Sequence, residues 1–174
     1  MLKKTFLLSC WLAILTVPSM SASPPHSSPL VVTISTLTTT YRKSSDLTLD
    51  VQLRNESDEP ITVFGRLLFG GSGGLILTVT DAAGKVIATP VLLDEQVPPA
   101  FLRHASSYVV LQPHHYLGTA LIQPVKDLFA GSGTYRITID YLSPVPRRYF
   151  TNGGKSFGRE NGIVRSNSLT VHIE

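Results

Sequence analysis

Alternation with a period of two limits what this chain can become more than any other feature. In DLTLDVQLRN, Leu47, Leu49, Val51 and Leu53 lie on one side of an extended chain, with Thr48, Asp50, Gln52 and Arg54 on the other. That pattern describes a strand with one face in a core and one in water. YRITIDYL repeats it with Tyr135, Ile137, Ile139 and Tyr141, and SLTVHIE with Leu169, Val171 and Ile173. Further strands are expected over 30–36, 61–68, 75–80, 107–111 and 116–122, separated by the turn-rich stretches NESDEP, GGSGG, DAAGK and AGSG. The only helical turn expected is PVKDLF, residues 124–129. Short strands at this spacing, without crossover helices, predict an all-β, antiparallel sandwich.

The chain opens with Lys3 and Lys4, an apolar run from Phe6 to Val17, and small residues at Ser19, Ser21 and Ala22. This order reads as a secretory signal peptide over 1–22, with a run too short to span a bilayer. Lipidation at Cys10 is disfavoured because the apolar run continues past it. Residues 23–29 form a proline-rich lead-in, and 30–174 the expected domain. The leader would carry away the single cysteine and the single tryptophan, so the sandwich is expected to lack a disulfide. It also holds two of the fifteen basic residues, leaving thirteen against twelve acidic ones. A charge of +1 gives no footprint for nucleic acid, and no second spanning segment follows. A secreted or periplasmic location is expected.

GSGTYRI sharpens the fold. A tyrosine after a glycine turn, two residues before the core position that antibody domains fill with cysteine, is the tyrosine-corner arrangement. Tyr135 is that tyrosine and Ile137 stands at the cysteine position, which points to an immunoglobulin-like sandwich without a disulfide. LTLDVQLRNESDEPITVFGRLL, YVVLQPHHYLGTALI and AGSGTYRITIDY together resemble the immunoglobulin-like domain that precedes the catalytic domain of deuterolysin-type metallopeptidases. More distantly they resemble the bacterial intracellular proteinase inhibitor domain. The resemblance covers about residues 45–142 and implies a fold and, more narrowly, inhibition of a secreted peptidase. It carries over no catalytic residue, because the sequence contains no HExxH.

Several motifs invite chemistry. His114 and His115 interrupt LQPHHYLG; in an extended chain they point to opposite sides and are poorly placed to share a metal, so a hairpin corner is expected, with one of them plus His104 as the metal alternative. GGSGG matches G-x-S-x-G with Ser72 as nucleophile, but that elbow needs a strand before and a helix after, and LILTVTD alternates as a strand. DAAGK lacks the elements of a phosphate loop and suits a tight turn. Asn55 opens NES, a glycosylation triplet in a host that glycosylates and otherwise a turn.

The segment from 143 to 166, SPVPRRYFTNGGKSFGRENGIVRS, is far longer than a sandwich hairpin needs. Arg147, Arg148, Lys155, Arg159 and Arg165 against Glu160 give it +4, while the other eight basic and eleven acidic residues beyond the leader give −3. Tyr149, Phe150 and Phe157 sit among these charges, a mixture that binding hot spots favour. Two readings stay open: a cap over one end of the sandwich, or a binding loop using Arg147, Arg148, Tyr149, Phe150, Lys155, Phe157 and Arg159. The second predicts a non-catalytic module that recognises a protein or an anionic envelope polymer and needs no cofactor or metal. Peptidase inhibition and, further off, a small hydrolase are the alternatives.

Overall fold

The computed structural model describes residues 28–70, 73–88, 104–150 and 154–174. The expected signal peptide, most of the lead-in, Cys10 and Ser72 lie outside them. Among these residues twelve strands run in the order β1 (Leu30–Ser35), β2 (Thr40–Tyr41), β3 (Asp46–Asn55), β4 (Ile61–Phe64), β5 (Leu75–Asp81), β6 (Val86–Ala88), β7 (Tyr108–Leu111), β8 (Tyr116–Pro124), β9 (Gly133–Tyr141), β10 (Lys155–Ser156), β11 (Val164–Arg165) and β12 (Leu169–Ile173). One helical turn, α1 (Val125–Leu128), follows β8. The eight strands expected from periodicity all form. The stretch expected over 61–68 ends at Phe64, where Gly65 crowds Val109: a Cβ there would stand 2.5 Å from the Val109 methyl.

Three sheets share one core. The first has the order β1-β3-β8, the second β10-β4-β7, and the third β2-β12-β9-β5-β6 with β11 also on β9. Pairing is antiparallel apart from the two-residue contacts of β10 with β4 and of β2 with β12. Leu47, Leu49, Val51 and Leu53 from β3 meet Leu75, Leu77 and Val79 from β5 and Ile137 and Ile139 from β9 in one buried cluster. Each aliphatic side chain so buried contributes about 1.5–3 kcal/mol to folding. The chain is an antiparallel immunoglobulin-like β-sandwich, and its single cysteine excludes an internal disulfide.

The tyrosine corner forms as the sequence implies. Tyr135 Oη donates to the Gly131 carbonyl at 2.9 Å, and its ring rests on Phe129 with centroids 4.9 Å apart. At the other end of β9, Tyr141 is fully buried and its hydroxyl joins two sheets. It accepts from the Phe64 N–H at 3.0 Å and donates to the Phe64 carbonyl at 3.1 Å. Burial pushes this phenol well above the ordinary tyrosine range, with the Phe64 hydrogen bond opposing the shift, so it stays neutral.

Residues 112–115 are a corner, though not of a hairpin. β7 and β8 do not pair with one another: β7 lies on β4 and β8 on β3, and the chain crosses from one sheet to the next between them. Asn55, fully buried at the end of β3, organises the crossing. Its Nδ2 lies 2.8 Å from the Glu59 carbonyl, 3.1 Å from that of Leu111 and 3.2 Å from that of Gln112. Its Oδ1 accepts from the N–H and the hydroxyl of Ser57. Its backbone receives the His114 N–H and donates to the His115 carbonyl. His114 takes φ of 61° to make that contact, the one positive φ outside glycine among the described residues. An amide so enclosed is a structural tie and not a glycosylation acceptor.

Two substitutions test these ties. Asn55→Ala should lower stability by about 2–3 kcal/mol in urea unfolding, because buried carbonyls lose their donor. Tyr141→Phe should cost about 1–3 kcal/mol by stranding both polar groups of Phe64.

Candidate functional site

The basic aromatic segment is built into the sandwich. After β9, Ser143 Oγ bonds the backbone of Val145, and a 3-10 turn follows over Arg147–Tyr149. Farther along, β10 lies beside β4, a second 3-10 turn forms at Arg159–Asn161, and β11 runs along β9. β10 and β11 are paired with β4 and β9, and Val145 and Phe157 are buried, so the described parts of the segment form a strap tied into the sandwich.

The strap separates its side chains. Phe157, expected in the binding set, is a core residue instead: it is buried against Tyr141, with ring centroids 6.1 Å apart, and no partner can reach it. Its N–H donates to Thr62, which directs the ring inward. Tyr149 and Phe150 are half-buried and pack with Tyr108 on the buried pair Phe64 and Val145. Phe150 lies 4.7 Å from Tyr108, centroid to centroid.

The cations divide as well. Lys155 is exposed and reaches Glu59 at 3.2 Å. Arg165 makes a two-pronged contact with the buried carboxylate of Asp140, at 2.8 and 2.9 Å. Arg159 turns its guanidinium back to the Pro144 carbonyl at 2.7 Å. Arg147 and Arg148 remain, both exposed and neither within ion-pair distance of a described carboxylate. The Arg148 guanidinium lies over the Tyr149 ring, 5.1 Å from its centroid. Adjacent cations on a supported turn can take a carboxylate or phosphate through paired hydrogen bonds.

Glu160 fixes that turn. Its carboxylate accepts the Arg147 backbone N–H at 2.9 Å. Partial burial pushes this carboxyl up; the Arg147 N–H, its own backbone N–H, and the charges of Arg148 and Arg147 more than offset that and hold it below the ordinary range. Gly158 makes room, because a Cβ there would lie 2.5 Å from the Arg147 nitrogen and 2.8 Å from the Glu160 carboxylate. The segment's lone acidic residue is the signal in the sequence that could have exposed this clamp. Tyr108, which supports Phe150 from a distant strand, carried no such signal.

The other candidates fall elsewhere. His114 Nε2 stands 3.4 Å from Asp58, a contact made by the fold and invisible in the spacing. His104 precedes the 3-10 turn before β7, and among the described residues no group of three His, Cys, Asp or Glu could hold a metal. The segment after Ser72 is β5, where a nucleophile elbow needs a helix. In DAAGK, Asp81 Oδ1 accepts the N–H groups of Ala83 and Lys85, closing the expected tight turn.

No protein-family model matches the chain. No curated protein matches it. Among solved structures it is similar to the CARDB domain of a Pyrococcus furiosus protein in complex with di-metal ions, at 12% identity and TM-score 0.38, over 83% of this chain and 87% of that one. It is also similar to the C-terminal domain of wzt, at 7% identity and TM-score 0.44, over 85% and 75%. A β-glucosidase from Listeria innocua in complex with laminaribiose matches at 10% identity and TM-score 0.38, over 83% of this chain but 16% of the enzyme. These likenesses assign no ligand or activity.

The clamp gives a pH dependence. A carboxyl whose folded pKa lies below its unfolded value adds stability that is present above the unfolded value, near about 4.3 for glutamate, and is lost as pH falls through the folded value. Acidification below about pH 4 should therefore loosen the Arg147 turn, visible as a shift of the Arg147 amide resonance. Glu160→Gln should flatten that titration while leaving the sandwich folded.

Proposed function

We propose that this chain is a secreted or periplasmic, non-catalytic immunoglobulin-like module that recognises a protein or an anionic envelope polymer through the Arg147–Arg148 turn. One observation carries the reading: two exposed, adjacent guanidiniums stand on a turn that Glu160 clamps and Tyr149 and Phe150 anchor to the core. Guanidiniums on a backbone already held in position lose less freedom on pairing with a carboxylate or phosphate than those on a mobile loop. The leader-like order of residues 1–22 supports export. The resemblance over residues 45–142 supports a narrower version in which the partner is a secreted peptidase.

Phe157 has no part in this site, while Lys155 is engaged by Glu59 and Arg159 by the Pro144 carbonyl. Apolar contact would come from the exposed portions of Tyr149 and Phe150, with Arg147 and Arg148 giving charge and direction. Binding of this kind weakens as salt screens the ion pairs.

Capture from envelope and secreted extracts, comparing the wild type with Arg147→Glu/Arg148→Glu, tests the proposal. At least about a tenfold loss of capture is expected, with the sandwich still folded by circular dichroism and cooperative urea unfolding. Equal capture by a folded double variant would return the strap to a capping role.

A further inference from the structure

The two outer edges of the β1-β3-β8 sheet are treated differently by the fold. At β1, the Asn167 side chain imitates a strand: its Oδ1 accepts the Ile34 N–H at 2.8 Å and its Nδ2 donates to the Ile34 carbonyl at 3.0 Å. Val32 bridges Ser166 beside it, so that edge is sealed. At β8, no described strand pairs with the far edge.

Backbone parity shows what that edge presents. Asn55 N–H donates to His115, and Val125 N–H to Ser45, at either end of an unbroken register between β3 and β8. The odd-numbered residues of β8 therefore face β3 with their N–H and C=O groups, while Tyr116, Gly118, Ala120 and Ile122 direct theirs to the open edge. These four also carry the outer face: all are exposed, Tyr116 to 61% and Ile122 to 62%. The strand YLGTALIQP contains no charged residue, and its one proline is the last residue. Edges that must stay unpaired are usually protected by charge, proline or a bulge.

We infer that β8 is a self-association edge whose occupant is the β8 strand of a second copy of this chain, antiparallel to the first across a twofold axis beside Thr119. One register uses all four outward residues. Tyr116 faces Ile122 of the second copy and Gly118 faces Ala120, so each of the eight exposed backbone groups gains a partner. On the inner side Leu117 faces Leu121 of the second copy and Thr119 faces its own counterpart. Leu117 and Thr119 are only half-buried in the single chain, and this pairing covers them. Aromatic–aliphatic and Thr–Thr pairs favour such a ladder. Neither strand carries a charge that would oppose the pairing. The interface is isologous and closed, so it ends at a dimer.

Sedimentation of the chain purified from its expressing cells, across micromolar to submillimolar concentration, should show the average mass rising toward twice that of the monomer. Ala120→Pro removes an N–H that the internal ladder does not use, and Ile122→Lys places a cation opposite Tyr116. Each should raise the dimer dissociation constant at least about tenfold. Hydrogen exchange provides a readout free of substitution: the amides of Tyr116, Gly118, Ala120 and Ile122 should gain protection with concentration, while those of Leu117, Thr119 and Leu121 stay protected throughout. A wild type that remains monomeric overturns the inference. So does a dimer that survives both substitutions, or protection of the four amides that appears only with a foreign protein.

Discussion

The buried amide of Asn55 is the constraint on which the rest of the structure depends. Two connections, from β3 to β4 and from β7 to β8, pass through the same corner and leave carbonyls inside it. Buried carbonyls need donors, and the two N–H groups of one side-chain amide are shared among three of them while its own oxygen receives Ser57. The β1-β3-β8 and β10-β4-β7 sheets are thereby joined at Asn55 by hydrogen bonds. The strained backbone at His114 is a consequence of this tie. A residue held at positive φ by what surrounds it usually invites a functional reading; here the surrounding requirement is visible and structural.

A second tie sets how the far end is closed. The Tyr141 hydroxyl locks Phe64 onto the end of β9, and Phe64 then carries Val145, Tyr108, Tyr149 and Phe150 above it. The Arg147–Arg148 turn is thus coupled to the core through a column of aromatic rings. The backbone that presents those cations is thus supported by the two hydrogen bonds of one buried phenol.

The alternation at Leu47 to Leu53 and at Tyr135 to Tyr141 was legible because each inward residue follows the last at a fixed interval over several repeats. Tyr135 was legible for a different reason: its turn and its core neighbour are local in sequence. β2, β6, β10 and β11 were not, since strands of two or three residues have no period and exist only because a longer neighbour offers an edge. The error at Phe157 has the same origin. Flanked by lysine, serine, glycine and arginine it resembles a surface aromatic, and only the pairing of β10 with β4 turns it toward Tyr141. The pairing of Asp58 with His114 and of Glu59 with Lys155 likewise joins residues that the chain keeps far apart until the sheets form.

The position of β12 between β9 and β2 has a consequence for the order of events in time. Residues 172 and 173 must reach residues 40 and 41 before the largest sheet has its full width, and Asn167 must reach Ile34 before β1 is sealed. Contacts so distant along the chain form slowly, because loop closure must precede the stabilisation they bring. The pairing of β2 with β12 and the Asn167 tie to Ile34 should therefore form after nearer pairings such as β1 with β3 and β5 with β6, so that the last contacts made are the ones that clasp the earliest described strands.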